Sequence, residues 1–324
     1  MASANTNFDE IITTSLMARQ GTLADNVTNH NALLRILKQG GNTRLLDGGE
    51  KIVRELDFAE NSTFKYYSGY EVLDIQPSDV MSAAEYDWAQ AAVVVTCSGR
   101  QMRQNAGRNR TIDLVASRIK NAENTMANNI STGIYSDGTG SSGLQIGGLQ
   151  LLVADVPTSG TPGNINRQTY TFWQNSEYDC TSDGTGSATA ALIQGYMNEL
   201  WLLCVRGSDK PDLIVADTAY FNFFWDSLQT IQRITTSDKG SSGFRSLEYN
   251  GPGGSAMVTY DDACPANHMY MLNTDYLSWD VHKDANFAAI DDRQSVNQDA
   301  VVKPIIFMGN LTMSNAALQG VLID

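Results

Sequence analysis

Histidine is scarce in this chain. Only His30, His268 and His282 occur in 324 residues, which leaves little material for imidazole metal sites or histidine acid–base chemistry. Cysteine is sparse as well, with Cys97, Cys180, Cys204 and Cys264 widely scattered. A disulfide framework is denser than this, so free thiols in a reducing cell are expected. Positive charge is in deficit: 22 Lys and Arg stand against 36 Asp and Glu, a net charge of -14. Gripping nucleic acid by its phosphates needs a basic face, so that class is disfavoured, whereas merely enclosing nucleic acid is not. Long apolar runs are missing too. The longest covers 200–205, far below the roughly 20 residues that cross a bilayer, so no membrane partner is expected. The opening MASANTNFDEIITT has neither the basic start nor the apolar core of a signal peptide.

Catalytic motifs are equally thin. No Gly-Lys-Ser/Thr, H-E-x-x-H, C-x-x-C or G-x-S-x-G occurs. Gly138, Gly140 and Gly143 satisfy G-x-G-x-x-G, but a helical pattern precedes them and none follows, the reverse of a dinucleotide site. Cys264 and His268, near Asp261 and Asp262, lack a matching second pair, so a surface turn is the better reading than a metal site. Asp137 and Asp183 sit in the repeated SDGTG pieces without the recurring acidic ligands of a calcium loop. No catalytic, cofactor-binding or metal residue is predicted, and no carboxylate pair stands out as a hydrolytic site.

What the chain does have is periodicity. From Arg110 to Ile134, apolar residues fall at Ile112, Val115, Ala116, Ile119, Ala122, Met126, Ile130 and Ile134, a helical stripe. Such a helix spans roughly 35 Å and reads as a spine for the rest. Residues 1–40 read as an arm of two short helices, with Phe8, Ile12 and Leu16 on the first and Leu33, Leu34, Ile36 and Leu37 on the second. They are poorly stable alone and need something to lie on, either their own domain or a neighbouring subunit. Residues 48–78 read as a long hairpin, with Lys51–Phe58 going out and Phe64–Tyr70 returning. A lone hairpin is marginal in water, so it covers either its own domain or another chain. A strand is expected over 83–99. Then 100–120 holds six of the 22 basic residues and one acidic residue, Asp113. No aromatic interleaves with Arg100, Arg103, Arg108 and Arg110, so pairing with carboxylates is preferred to base stacking.

Further along, 144–156 reads as strands, 164–179 as an aromatic loop, and 187–207 as a helix capped by Ser187. DLIVA at 212–216 is a buried strand, followed by a helix capped by Asp217 or Thr218. Strands are expected at 244–249, 257–260, 269–273, 277–282 and 301–323, with Pro304 marking an edge or bend.

The pieces GGEKIVRELDFAENSTFKYYSGYEVLDIQPSD (48–79), SAAEYDWAQAAVVVTCSG (82–99), PDLIVADTAYFNFF (211–224) and GNLTMSNAALQGVL (309–322), in this order, resemble the major capsid proteins of tailed bacteriophages. That resemblance implies an α+β, Hong Kong 97-like fold: an N-terminal arm over 1–47, an extended loop over 48–79, a peripheral domain from 80–139 and 291–324, and an axial domain over 140–290. It implies a structural subunit, not an enzyme, that builds hexamers and pentamers of an icosahedral head around double-stranded DNA without reading its sequence. It further implies a virion component assembled in the host cytoplasm, with scaffolding, portal or decoration proteins as possible partners. With the arm starting near Met1, a separate scaffolding protein or none is expected. The expected intersubunit residues are Phe8, Ile12 and Leu16 of the arm; Lys51, Arg54, Glu55, Phe58, Phe64, Tyr66 and Tyr67 of the hairpin; and Arg100, Arg103, Arg108 and Arg110. Truncating 1–40 should block assembly and leave the core folded. The rival readings are an encapsulin-like nanocompartment shell, a hydrolytic enzyme with an unrecognised carboxylate site, and a tail or fibre component.

Overall fold

The computed structural model describes residues 31–73, 75–76, 79–100, 114–228, 247–289, 293–294 and 299–324. Fourteen-residue strand β13 (Ala300–Met313) is the longest strand, and one sheet is built along it. On one side it pairs antiparallel with β4 (Ala89–Ser98), from Ala300 opposite Ser98 to Gly309 opposite Ala89. On its other side lie β10 (Leu277–His282), β11 (Ala288–Ala289) and β12 (Arg293–Gln294). Strand β1 (Thr43–Leu46) adds in parallel to β10. Pro304 is not at an edge or bend; it sits opposite Val94 within the ladder.

The expected spine helix is present as α2 (Leu114–Gly133), about 30 Å long. Ile119, Ala122, Met126, Ile130 and Ile134 of its apolar stripe are buried, and the helix packs along β4. Residues 110–113 of the expected helix lie outside the described residues. The chain leaves α2 through a tight junction where Leu149 N donates to the Ile134 carbonyl at 2.6 Å. A side chain at Gly148 would meet that carbonyl at 2.3 Å, so only glycine fits. The strands expected over 144–156 are absent. Leu149–Leu152 instead forms one helical turn, α3, whose Leu149 and Leu152 are buried.

The second sheet runs β5 (Ser176–Asp179), β14 (Gly320–Ile323), β9 (His268–Leu272), β6 (Leu213–Ala216), β8 (Gly254–Tyr260) and β7 (Leu247–Gly251). Strand side chains alternate between faces, and here both faces are covered. Leu213, Val215, Tyr270, Leu272 and Val321 join the core shared with α2 and the first sheet. Ile214, Ala216, Met269, Met271 and Leu322 join a second core under helices α4 (Ile193–Cys204) and α5 (Thr218–Ser227). Asp217 caps α5, its carboxylate accepting from Tyr220 N at 2.8 Å. Ser187 does not cap α4, which begins six residues later. The intervening turn is held by Tyr196, whose hydroxyl accepts from Thr185 N and donates to the Gly186 carbonyl.

Two expectations about uncovered pieces change. The second arm helix, α1 (Ala32–Gln39), lies on its own chain: Leu33, Leu34 and Leu37 are buried in the first core, beside β10. Residues 32–39 therefore take the own-domain alternative, not the neighbour. The hairpin is rebuilt as well. Strand β2 (Ile52–Asp57) pairs with β3 (Met81–Tyr86), not with Phe64–Tyr70. The reason is anchorage: the Tyr86 hydroxyl donates to the Met313 carbonyl at 2.8 Å, while Phe64–Tyr70 has no such seat among the described residues. The strand expected over 83–99 breaks at Asp87–Trp88. There Trp88 Nε1 bonds the Gly49 carbonyl and Asn310 Nδ2 bonds the Asp87 carbonyl.

Candidate assembly surfaces

The candidate surface is the β2–β3 ribbon with the segment it carries, residues 58–80. Alternation divides the ribbon. Ile52, Leu56, Ala84 and Tyr86 face the body and are buried, with half-buried Arg54. Val53, Glu55, Asp57, Met81, Ala83 and Glu85 face outward and are exposed. A buried carboxylate secures the base. Asp280 on β10 accepts from Thr312 Oγ1 at 2.8 Å and lies 3.8 Å from the Arg44 guanidinium. Burial raises its pKa, and Thr312, Arg44 and Arg54 pull the other way. Burial in turn lowers the pKa of Arg54, against the opposing pull of Asp280, and the net shift is downward. The far end rests on Phe172, whose ring stacks on Phe58 at 5.2 Å.

Beyond Phe58 the apolar side chains stand in solvent. Phe64 is 76% exposed, Tyr66 92%, Tyr70 103%, Val72 87% and Ile75 92%. Within the segment, Lys65 Nζ bonds the Val72 carbonyl at 2.5 Å, and Phe64 and Tyr66 meet edge to face at 5.4 Å. Contiguous apolar exposure of this kind marks an interaction surface.

The predicted interface residues therefore separate. Phe64, Tyr66 and Tyr67 lie together on the exposed segment. Glu55 shares the ribbon's outer face, where Lys51 binds Glu85 at 3.0 Å. Arg54 and Phe58 are engaged within the chain. Arg100 is exposed at the far end of β4. Phe8, Ile12, Leu16, Arg103, Arg108 and Arg110 lie outside the described residues. Sequence reading passed over Tyr70, Val72 and Ile75 as interface candidates. Their signal was an apolar content with neither helical nor strand period, in a stretch bounded by Gly69 and Pro77.

The polar pieces set aside on spacing have structural partners. His268 does not turn toward Cys264; its Nε2 meets Asp155 at 3.1 Å and its Nδ1 the Ala266 carbonyl at 2.7 Å. Burial lowers the His268 pKa, but those two acceptors outweigh it and the net shift is upward. Asp137 caps Thr139 through its backbone N–H and hydroxyl, which lowers its pKa. Asp179 accepts from the backbone N–H groups of Thr181 and Ser182, which lowers its pKa. All four cysteines are buried and free. Among the described residues, no group of three or more His, Cys, Asp and Glu could hold a metal ion.

Residues 88–317 match the family described as SU10 major capsid protein, more than two thirds of the 324 residues. The chain belongs to that family. It is a major capsid protein, and its role in the virion is structural. Among solved structures it is similar to the capsid asymmetric unit of cyanophage A-1(L), with 15% identity and a TM-score of 0.64 over 88% of this chain and 90% of that one. It is also similar to the holo-SrpI encapsulin complex of Synechococcus elongatus PCC 7942, with 11% identity and a TM-score of 0.56 over 89% and 86%. A third similar structure is the satellite phage P4 procapsid with its size determination protein, with 11% identity and a TM-score of 0.52 over 93% and 96%. No curated protein sequence matches the chain. The fold is the Hong Kong 97-like α+β capsid fold.

Proposed function

We propose that copies of this capsid subunit form hexamers and pentamers that close an icosahedral head around double-stranded DNA, with assembly in the host cytoplasm. In this reading the working parts are surfaces, and the exposed segment 58–80 is the main one. The observation that carries it is the run of solvent-facing Phe64, Tyr66, Tyr70, Val72 and Ile75 on a ribbon whose inner face is firmly seated. Burying such side chains yields about 1.5–3 kcal/mol each, enough for a few of them to drive association. Residues 1–30, which include Phe8, Ile12 and Leu16, serve as the second contact, on a neighbouring subunit.

The proposed division is an arm over 1–47, an extended loop over 48–79, a peripheral domain from 80–139 and 291–324, and an axial domain over 140–290. The burial of α1 shortens the part of the arm available to a neighbour. The acidic balance suits a wall that does not hold DNA by its phosphates. Scaffolding, portal or decoration proteins fit as partners of such a shell.

The likeness to an encapsulin supports a second reading, a nanocompartment around a cargo enzyme. The family match favours the phage head. Electron microscopy of the purified protein tests both: closed shells, or rings of five and six, are expected, with co-purifying DNA when assembled in the phage context. A monomer in every salt condition would overturn the shell, and shells holding only an enzyme would favour the nanocompartment.

A further inference from the structure

Residues 154–175 form a closed loop on which the ribbon rests. Asn175 stitches its ends together: Oδ1 accepts from Ala154 N at 3.1 Å, and Nδ2 donates to the Ala154 carbonyl at 2.9 Å. Inside, the fully buried Arg167 donates from Nε to the Trp173 carbonyl at 3.2 Å and from Nη2 to the Leu152 carbonyl. Trp173 Nε1 donates to the Pro162 carbonyl at 2.8 Å. The ribbon meets this loop at two points. Phe172 stacks on Phe58. Gly163, at φ +62°, lies so close to β3 that a side chain there would come within 2.8 Å of the Ala84 Cβ.

At its start the loop is tied to β9 by Asp155 and His268. The His268 Nδ1 lies 2.7 Å from the Ala266 carbonyl, and Nε2 lies 3.1 Å from Asp155 Oδ1. A carbonyl oxygen only accepts, so Nδ1 carries a hydrogen. An ionised carboxylate also only accepts, so the second contact is a hydrogen bond only when Nε2 carries one too. A neutral imidazole has a single N–H, and the two contacts together require the imidazolium. Loss of a proton leaves a ring lone pair facing the carboxylate.

The surroundings favour the charged ring. Strand β6 leads to Asp217, which adds to the attraction of Asp155. The turn after β8 brings Asp261, Asp262 and the buried thiol of Cys264. Strand β14 pairs with His268 through Ile323 and ends at Asp324, and β5 beside it brings Glu177 and Asp179. The Tyr270 ring lies 6.0 Å away on β9 itself. His268 keeps 15% of its side chain exposed and Asp155 40%, so protons reach the pair from solvent. Burial opposes the charge, but the acceptors outweigh it. The contact is therefore complete below the ordinary imidazole value of about 6.5 and is lost as pH rises through a higher one.

We propose that His268 and Asp155 form a pH-dependent latch: protonated His268 holds loop 154–175 against β9, and neutral His268 frees the start of that loop and loosens the platform under the ribbon. The latch belongs to the single subunit and does not depend on the shell reading.

Two measurements on the full-length, unassembled chain test this. In an NMR titration of the histidine Cε1–H signals, with His268 assigned through His268→Gln, its midpoint should lie above the ordinary imidazole value. Asp155→Ala should lower that midpoint by about half a pH unit or more. A midpoint at or below the ordinary value, or one that Asp155→Ala leaves unmoved, would overturn the latch. Hydrogen exchange over 160–173 and 81–86, corrected for the intrinsic pH dependence of exchange, should rise about threefold or more from pH 6 to pH 9. Asp155→Ala should exchange at pH 6 as the parent does at pH 9. Asp155→Asn, whose amide can donate to the neutral ring, should stay protected at pH 9. An unchanged parent between the two pH values, or the parent's rise persisting in both variants, would also overturn it. Neither measurement involves shells, so its failure leaves the shell reading untouched.

Discussion

Helix α1 and the segment 58–80 are both short, both rich in apolar side chains, and both lack a neighbouring element in sequence to cover them. Their fates are opposite. In α1, Leu33, Leu34 and Leu37 recur at helical spacing and disappear into the first core. In 58–80, Phe64, Tyr66, Tyr70 and Val72 fall at even positions, a strand alternation, yet they and Ile75 remain in solvent. Apolar content therefore does not decide what a segment covers. What decides is a seat on the body: α1 lies beside β10 with Ala32 N bonded to Asp261, and the exposed side chains of 58–80 are left for another molecule.

The sharpest way to break this contrast is to remove the leucines. Leu33→Ala with Leu37→Ala should cost about 5 kcal/mol together, at roughly 3 kcal/mol per well-packed leucine with some coupling between neighbours. Urea denaturation of the unassembled subunit measures it. A loss below about 1 kcal/mol would mean that α1 is an arm resting loosely on the body. The same result bears on truncation. Deleting 1–40 removes core leucines and should unfold the subunit, whereas deleting 1–30 spares them and should affect assembly alone.

A smaller effect is expected at the pin that holds the start of α1. Asp261 Oδ2 accepts from Ala32 N at 3.3 Å and from the Tyr135 hydroxyl at 2.8 Å, and Oδ1 accepts from Ala263 N at 3.1 Å. One carboxylate thus joins α1, the end of the α2 stretch and the turn after β8. Asp261→Asn sets an NH2 group against one of these donors and should cost about 2 kcal/mol. Burial raises the Asp261 pKa above the usual carboxylate value despite those donors. Between the unfolded and the raised folded value, the folded state binds more protons, so unfolding free energy falls as pH rises through that window. Asp261→Asn should remove that slope in denaturation measured from pH 4 upward; an unchanged slope would place its origin elsewhere, with Asp280 the next group to replace. Smaller again is the cap. Asn31 accepts from Leu34 N at 3.1 Å, and Asn31→Ala should cost about 1 kcal/mol.

Much of this architecture was legible from residue pattern. The α2 stripe, the twice-buried DLIVA strand and the Asp217 cap all follow from local rules and appear as expected. The misreadings have one physical cause, since each depends on a contact distant in sequence. The return strand of the ribbon is chosen by Tyr86 reaching Met313, 227 positions away. The expected strands at 144–156 yield to a junction on Ile134, and Pro304 is taken into a ladder opposite Val94, 210 positions away. For the assembly surface, aromatic content exposed Phe64, Tyr66 and Tyr67, but the wrong return strand hid Tyr70, Val72 and Ile75. The basic segment 100–110 was legible as charge; apart from Arg100 it lies outside the described residues.

The smallest expected change in stability gives the sharpest contrast with α1. Tyr66→Ser, Tyr70→Ser and Ile75→Ser together remove three exposed side chains from 58–80. Surface changes away from caps and cores usually move stability by no more than about 0.5 kcal/mol each, so the urea midpoint of the unassembled subunit should stay close to that of the parent. The same chain should fail to form shells, because the burial those three groups would supply on a neighbour is gone. The leucine variant should lose its fold, whereas this variant should keep its fold and lose its partners. If the serine variant instead melts early, the segment packs on its own body in solution and resembles α1 after all. If it keeps both stability and shells, the apolar exposure has no part in assembly.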